Sequence, residues 1–275
     1  MTRNLIITAD DFGAATEVND AVAIAHGEGV LTAASLMVAA PAAAEAVAMA
    51  KATPSLAVGL HLVLTDGRPV LAASQIPHLV DRNGRFHDNM AAAGANMFFS
   101  PVARAELAAE IAAQFQAFAD TGLTLDHVNA HKHFHLHPTI SGLILRIGAR
   151  HGLTAARVPI EPGADASPAF NICAGLVRRR FRAAGLTIPD QVYGLRWSGH
   201  MTAERLEAAI AQAPNGLTEI YLHPATKGGY EGSAPGYGYS EELAALIAPG
   251  VVRAARGPNL RLGGFRDFVS KDVSR

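Results

Sequence analysis

Short apolar runs alternate with helical patterns along the chain, and this alternation constrains the fold more than any other feature of the sequence. Residues 5–9 form a short apolar, partly β-branched run that ends at polar residues, as a buried parallel strand does. Residues 16–26 then carry apolar side chains at helical spacing. Further strands are predicted over 31–38 and 56–62, on either side of a helix over 42–51. This β-α-β-α-β order favours a parallel sheet covered by helices.

The same unit recurs in the second half of the chain. Strands are predicted over 123–130, 155–158, 217–222 and 260–262, and helices over 101–120, 140–150, 169–183, 202–212 and from Ser240 onward. Because an α/β barrel of about 250 residues is a single unit, we predict one α/β domain over 1–275, an irregular (β/α) barrel of about seven or eight parallel strands. Residues 65–100 contain Gly and Pro without a sustained period and predict a long irregular loop or insertion.

Composition narrows the class of protein. The chain is 49% hydrophobic and 17% charged, which suits a large core, and its net charge of −1 without a long basic run argues against a nucleic-acid partner. No stretch reaches the ~20 apolar residues of a membrane span, and the N-terminal apolar run meets Asp10 and Asp11 too early for a signal peptide. We expect a soluble, cytoplasmic protein. With Cys173 alone, a thiolate-rich metal site is excluded; a homo-oligomer stays open.

Histidines are concentrated in residues 126–137, which hold five of the twelve in the chain. Four of them alternate at 131, 133, 135 and 137, and in an extended chain residues two apart point to the same side. Neutral imidazole is the commonest protein ligand of metal ions, so the stretch predicts the rim of a metal pocket. The alternative is a polar, solvated strand end in which histidine is incidental.

Further chemical groups lie at the predicted strand ends. Asp10 and Asp11 close the first strand, His61 the third, His131 the fourth and His223 the strand over 217–222. In βα barrels the active site lies at the C-terminal ends of the strands. One carboxylate and two imidazoles, with positions left for water and substrate, suit a catalytic divalent metal.

The paired aspartates are expected to divide two roles between them. Adjacent residues of a regular strand face opposite sides, but Phe12 and Gly13 follow at once, so the chain leaves the strand and both carboxylates can turn inward. One would then bind the metal while the other acts as a base. The alternative is an aspartate that caps the following helix.

Four motifs in chain order resemble the YdjC-like carbohydrate deacetylases over essentially the whole chain: TADDFG at 8–13, VGLH at 58–61, HVNAHKHFH at 127–135 and LHP at 222–224. A narrower resemblance, to the branch called hopanoid biosynthesis-associated protein K, is carried by the His-rich stretch, LTAASLMV at 31–38 and LRWSGH at 195–200. The lead-in at 126–129 departs from the Leu-Asp-Ser of the chitooligosaccharide-deacetylating branch, which leaves the sugar open.

The resemblance implies an irregular βα barrel that removes acetyl groups from N-acetylated amino sugars with one divalent ion, Mg²⁺ or Zn²⁺. It implies that Asp11, His61 and His131 bind the metal, that Asp10 is the general base and that His223 is the general acid. The narrower branch suggests a glucosamine-bearing hopanoid, hence a lipid-linked sugar met at a membrane surface. Soluble N-acetyl oligosaccharides, a metal-dependent hydrolase of another bond and a metal-buffering protein remain alternatives.

Substrate contacts are predicted for Arg157, His133 and Trp197. Arg157 ends the predicted fifth strand, where it would contact substrate, orient Asp10 or form a structural ion pair. The tyrosines at 230, 237 and 239 would stack on sugar faces or fill loops. The apolar cluster Met90, Met97, Phe98 and Phe99 would receive a lipid or pack beneath its own loop.

Overall fold

The computed structural model describes residues 2–269, which fold around a curled parallel sheet. Its strands are β1 (Arg3–Phe12), β2 (Ala33–Leu36), β3 (Ala57–Leu62), β4 (Val128–Ala130), β5 (Gln191–Tyr193), β6 (Gly216–Leu222) and β7 (Leu260–Leu262). The strand order is β4-β3-β2-β1-β6-β5, and β7 pairs with the first residues of β1. Every paired strand in this sheet runs parallel to its neighbour. The predicted α/β class and parallel sheet are confirmed.

Regular pairing is interrupted between β4 and β5, so the regular strands form a half-barrel. Isolated bridges join Val128 to Ala156 and Ala155 to Thr187 across this gap. The predicted strand over 155–158 is therefore present only as bridges. The short strand β5 was not predicted.

Nine α-helices are present among residues 2–269. They are α1 (Thr16–Glu28), α2 (Ala43–Ala52), α3 (Met90–Phe99), α4 (Pro101–Asp120), α5 (Pro138–Gly148), α6 (Pro168–Ala183), α7 (Ala203–Gln212), α8 (Tyr239–Ile247) and α9 (Pro249–Ala255). The predicted start of α4 is confirmed, because the side chain of Ser100 accepts a hydrogen bond from the backbone N–H of Ala103, ahead of Pro101. Within the described residues, no helix combines the length and apolarity that a membrane crossing requires.

Two sequence interpretations are wrong. The segment 65–100 is not irregular throughout, since α3 occupies its end and is capped by the side chain of Asn89. This helix is apolar on nearly all sides, so it shows no amphipathic period. The His-rich stretch does not continue as a strand after Ala130, because residues His131–Leu136 form a 3₁₀ turn in which Lys132 and His133 have φ of 53° and 55°. Its histidines therefore do not point to one common side.

The inside of the barrel changes from apolar to polar along the strand direction. A small apolar cluster at the N-terminal ends of the strands contains Ile6, Ala33, Ala57, Ala155, Leu217 and Phe265. Two residues further along the same segments lie Thr8, Ser35, Gly59, Arg157 and Glu219, and each of the polar side chains among them is fully buried. Since strand residues two apart share a face, this polar layer lies directly beneath the C-terminal ends, where the candidate site is.

Candidate metal centre and active site

A β-bulge at the end of β1 brings both aspartates into one pocket. The register of β1 against β2 shifts between Ala9 and Phe12, and Asp11 has a φ of 63°. A residue in the left-handed region within a bulge re-aims the side chains around it. Asp10 and Asp11 both line the polar pocket at the C-terminal ends of the strands. The prediction that both carboxylates turn inward is confirmed, and the bulge is its physical cause.

Asp11, His61 and His131 offer three ligand atoms that lie within 4.8 Å of one another. Asp11 Oδ1 lies 3.3 Å from His61 Nε2 and 3.2 Å from His131 Nδ1. Two ligands each about 2.1 Å from one ion are separated by about 3.0–3.4 Å, so this spacing fits a shared metal. His61 Nε2 is also buried without a hydrogen-bond partner. Donor types, spacing and the unpartnered nitrogen all fit one divalent ion.

Asp10 is 2% exposed and receives hydrogen bonds on both carboxylate oxygens. Asn129 Nδ2 donates to Oδ1 at 3.1 Å, and the guanidinium of Arg157 donates to Oδ1 and Oδ2. Burial alone would raise the pKa of Asp10, but the positive charge of Arg157 holds that pKa well below its ordinary value. Asp10 is therefore ionised at neutral pH, and it lines the pocket.

Arg157 is fully buried between two carboxylates from different strands. Its Nε and Nη2 donate to Glu219 at 3.0 and 2.7 Å, while Nη1 and Nη2 donate to Asp10. Thr8 Oγ1 donates to the same Glu219 at 2.8 Å, and the guanidinium lies 4.4 Å from the ring centre of Tyr221. Arg157 thus lies beneath the pocket, and two of its predicted roles match these contacts, the orientation of Asp10 and a structural ion pair.

His223 and His133 stand on the pocket wall with three tyrosines. His223 packs against Tyr221 and Tyr237, with ring centroids 5.8 and 5.3 Å apart, and its Nδ1 has no hydrogen-bond partner. His133 Nε2 lies 3.0 Å from the hydroxyl of Tyr221. Tyr239 completes this wall. The result is a polar, aromatic pocket beside the three candidate ligands.

The other histidines of the His-rich stretch, His133, His135 and His137, lie in different surroundings. Burial, followed by the charge of Arg157, lowers the pKa of His135 to about 3. Burial and the nearby His135 also lower the pKa of His133 well below its ordinary value. Both rings are therefore neutral at physiological pH. The His137 ring lies 6.1 Å from that of Phe98, away from the pocket.

The structure brings six of the eight predicted site residues to the pocket wall: Asp10, Asp11, His61, His131, His133 and His223. Arg157 lies below them. Trp197 lies instead between the guanidinium groups of Arg196 and Arg205, at 5.2 and 5.6 Å, and it is not among the pocket-lining residues. Its neighbours Leu195 and Ser198 line the pocket instead, so the contact of Trp197 with substrate stays a prediction that this arrangement does not support.

Sequence reasoning missed the residues that support the site, chiefly Ser35, Asn129, Glu219 and Tyr221. Each lies on a strand at an even spacing from an apolar or ligating residue of the barrel interior. That period of two was the available signal. A polar residue at such a position is buried with a partner on another strand.

Comparisons with known proteins agree with this geometry. A family model described as YdjC-like protein matches residues 4–256. A carbohydrate deacetylase of Geobacillus stearothermophilus is 33% identical over 272 residues, which cover 98% of this chain and 99% of that protein. A chitooligosaccharide deacetylase of Klebsiella pneumoniae is 30% identical over 270 residues, which cover 97% of this chain and 100% of that protein.

A solved structure supports the fold. A protein of Enterococcus faecalis, provisionally named a cellobiose-phosphate cleavage protein, matches with a TM-score of 0.79 and 24% identity, covering 98% of this chain and 100% of that chain. The curled parallel sheet and its surrounding helices are therefore an established arrangement.

The buried ion cluster predicts a large loss of stability in Arg157→Met. The substitution leaves two buried carboxylates without their cation, which costs about 3–5 kcal/mol. Because Arg157 lowers the pKa of Asp10 in the folded protein, its contribution is complete above the unfolded pKa of about 3.8 and declines as the pH falls below it. Urea unfolding between pH 7 and pH 3 measures both effects.

The matched control is Arg68→Met, which removes an exposed arginine paired with Glu231 at 2.8 Å. An exposed ion pair contributes about 0–1 kcal/mol. Equal destabilisation in the two variants would contradict a special role for the buried cluster.

Proposed function

The chain belongs to the YdjC-like protein family, and from that membership we propose that it is a metal-dependent deacetylase of N-acetylated amino sugars. The observation that carries the proposal is the meeting of Asp11, His61 and His131 beside the buried carboxylate of Asp10, at one end of a polar pocket. A metal site with an adjacent, separately held carboxylate suits amide hydrolysis. Full-length relatives named carbohydrate deacetylase and chitooligosaccharide deacetylase support the same reaction.

Each catalytic role follows from where a group stands. Asp11, His61 and His131 would hold the ion, which when bound polarises the acetamide carbonyl and lowers the pKa of water. Asp10 accepts the proton of the attacking water, since Arg157 and Asn129 keep it ionised and aimed at the pocket. Asp10 then releases this proton to solvent, because its pKa lies well below neutral pH, and the departing amine takes its proton from a separate acid.

His223 is the group we assign to that amine. It lies on the pocket wall directly after β6, the strand beside β1. Its backbone N–H donates to Glu242 at 2.5 Å, and its ring packs against Tyr221 and Tyr237. A protonated imidazole here donates to the leaving nitrogen. The sugar would lie against Ser198, Tyr237 and Tyr239, because hydroxyl groups and aromatic faces suit a carbohydrate ring.

A lipid-linked amino sugar is the narrower substrate that we propose, as the resemblance to hopanoid biosynthesis-associated protein K suggests. Phe98 and Phe99 are 48% and 77% exposed at the end of α3, whereas Met97 is buried at 1%. Phe98 lies beside His137, in the segment that follows the ligand His131, so the two phenylalanines share the active-site end of the barrel. Neighbouring α5 and α6 carry arginines and no acidic residue, which suits an anionic membrane surface.

Release of acetate from an N-acetylglucosamine conjugate tests the proposed reaction. Turnover should require added Mg²⁺ or Zn²⁺ and stop when a chelator removes the ion. His131→Ala should lower both the bound metal and the turnover, because it deletes one of three ligands. His87→Ala, which changes an exposed histidine outside the site, is the control. Unchanged turnover after metal removal would exclude a metal-dependent reaction.

The division of labour predicts different losses in three variants. Asp11→Asn should weaken metal binding itself. Asp10→Asn and His223→Ala should retain the metal, and each should lower kcat by about 10²–10⁴-fold, the usual contribution of a general acid or base. Metal analysis beside kinetics measures the split. Equal metal loss in the two aspartate variants would refute the separation of base and ligand.

The double variant Phe98→Ser/Phe99→Ser tests the lipid-linked substrate. It should impair deacetylation of a lipid-linked N-acetylglucosamine presented in vesicles while sparing a short soluble analogue. Of the two substrates, only the lipid-linked one would contact the apolar end of α3. Val70→Ser, at an apolar residue 37% exposed elsewhere, is the control. Equal loss on both substrates would assign the two phenylalanines to the fold, and no loss on either would favour soluble oligosaccharides.

A further inference from the structure

A series of buried hydrogen bonds leads from the candidate ligand His61 through Asn129 to a turn near the C-terminus, and the proposed chemistry gives no role to its members beyond Asn129. His61 Nδ1 lies 2.7 Å from Asn129 Oδ1, Asn129 Nδ2 lies 2.9 Å from Ser35 Oγ, Ser35 Oγ lies 3.0 Å from His127 Nε2, and His127 Nδ1 lies 2.9 Å from Asp126 Oδ2. Each of the five side chains is at most 2% exposed. Asp126 also accepts the backbone N–H groups of Phe265 and Arg266.

Asp126, His127 and Ser35 are hydrogen-bonded in the same sequence as the acid, base and nucleophile of a catalytic triad, but their surroundings exclude that role. Ser35 Oγ is fully buried inside the barrel. The ring of Phe265 stacks on His127 with centroids 4.3 Å apart, and a Cβ at Gly59 would lie 2.5 Å from the other side of the imidazole. A substrate has no approach to this hydroxyl. The effect of this series of hydrogen bonds must therefore be at its other end, where Asn129 contacts His61.

At that end, Asp10 determines which way the amide of Asn129 points. An ionised carboxylate only accepts hydrogen bonds, so the amide nitrogen of Asn129 faces Asp10 Oδ1, at 3.1 Å. The amide oxygen then faces His61 Nδ1, which must carry the proton. His61 Nε2 is left with a free lone pair directed at the space between Asp11 and His131, where it has no other partner.

The remaining groups secure the same orientation. The second N–H of Asn129 donates to Ser35 Oγ, so the Ser35 hydroxyl donates to His127 Nε2 and His127 Nδ1–H donates to Asp126. Every donor then meets an acceptor. A flipped Asn129 would place its oxygen against Asp10 and would leave Ser35 and His127 with the wrong partners.

We propose that Asn129 is a positioning residue that fixes the tautomer of His61 for metal binding and aims Asp10, and that Ser35, His127 and Asp126 lock Asn129 in that orientation. The inference rests on the proposed metal-dependent function. Partners that orient a ligating histidine typically contribute about 10–100-fold to metal affinity. The metal affinity of the purified protein is therefore the quantity to measure.

Asn129→Leu and Asn129→Asp separate orientation from packing. The Leu variant removes the acceptor for His61 and should raise the Kd for Zn²⁺, measured by chelator competition, by about 10–100-fold. The Asp variant keeps that acceptor but turns a carboxylate toward Asp10, so it should hold Zn²⁺ within a few-fold of wild type and lose kcat. A purely structural role would change the Kd of the two variants together, and that result would overturn the proposal.

Ser35→Ala provides a test that does not depend on the folding of the Leu variant. It removes no atom that contacts His61 or Asp10, yet it should weaken Zn²⁺ binding because it releases Asn129. Ser141→Ala is its matched control, since this buried hydroxyl donates to Pro138 within α5 and makes none of the hydrogen bonds of this series. Both should lose about 0.5–1.5 kcal/mol of stability in urea unfolding. Equal Zn²⁺ affinity in these two variants would refute the lock.

Measurements on the wild-type protein distinguish a failure of the proposed function from a failure of the inference about Asn129. If it neither binds Zn²⁺ nor needs a metal for turnover, the proposed function fails and the inference fails with it. If it binds Zn²⁺ and turns over while the Asn129 and Ser35 variants retain its Kd, only the inference fails.

Discussion

The rest of the site depends on the buried ion pairs that the guanidinium of Arg157 forms with Asp10 and Glu219. An unpaired charge in the barrel interior would be strongly unfavourable, and Asp10 and Glu219 remove that penalty from two sides. The three residues come from β1, β6 and the bridging segment after β4. That segment fills the gap between β4 and β5, where regular backbone pairing is absent. The ion cluster therefore closes the barrel at its weakest point and holds the proposed base in place at the same time.

The barrel interior is organised as layers of increasing polarity toward the pocket. The apolar layer of Ile6, Ala33 and Ala57 excludes water from below, which strengthens the electrostatic interactions above it. The next layer contains the Arg157 cluster and the Ser35–His127 pair, and each polar group there is bonded to a group from another strand. The candidate metal ligands Asp11, His61 and His131 therefore lie above fixed dipoles and charges instead of mobile water. This is the arrangement in which preorganised groups act most strongly on a developing charge.

The sequence predicted most of the helices and strands and the positions of the three candidate ligands, because both depend on local features. Strand ends follow from where apolar runs stop, and Asp11, His61 and His131 each stand at such an end. The conformation of the His-rich stretch was not predictable from alternation, since the left-handed residues Lys132 and His133 turn the chain immediately after β4. The residues that hold the candidate ligands in place could not be predicted from the sequence either. Asn129 and Ser35 are 94 residues apart, and nothing local to either of them reveals their contact.

Backbone strain is concentrated around the candidate ligands. Among residues 2–269, five non-glycine residues have positive φ, and four of them, Asp11, Asp66, Lys132 and His133, line the pocket. Each such conformation is unfavourable by roughly 1–3 kcal/mol and persists only where its surroundings enforce it. Here Asp11 is held by its contacts with His61 and His131, and His133 by the hydroxyl of Tyr221. The three candidate ligand atoms therefore lie within 4.8 Å of one another in a backbone arrangement that is already formed, which would reduce the cost of ordering the chain around an ion.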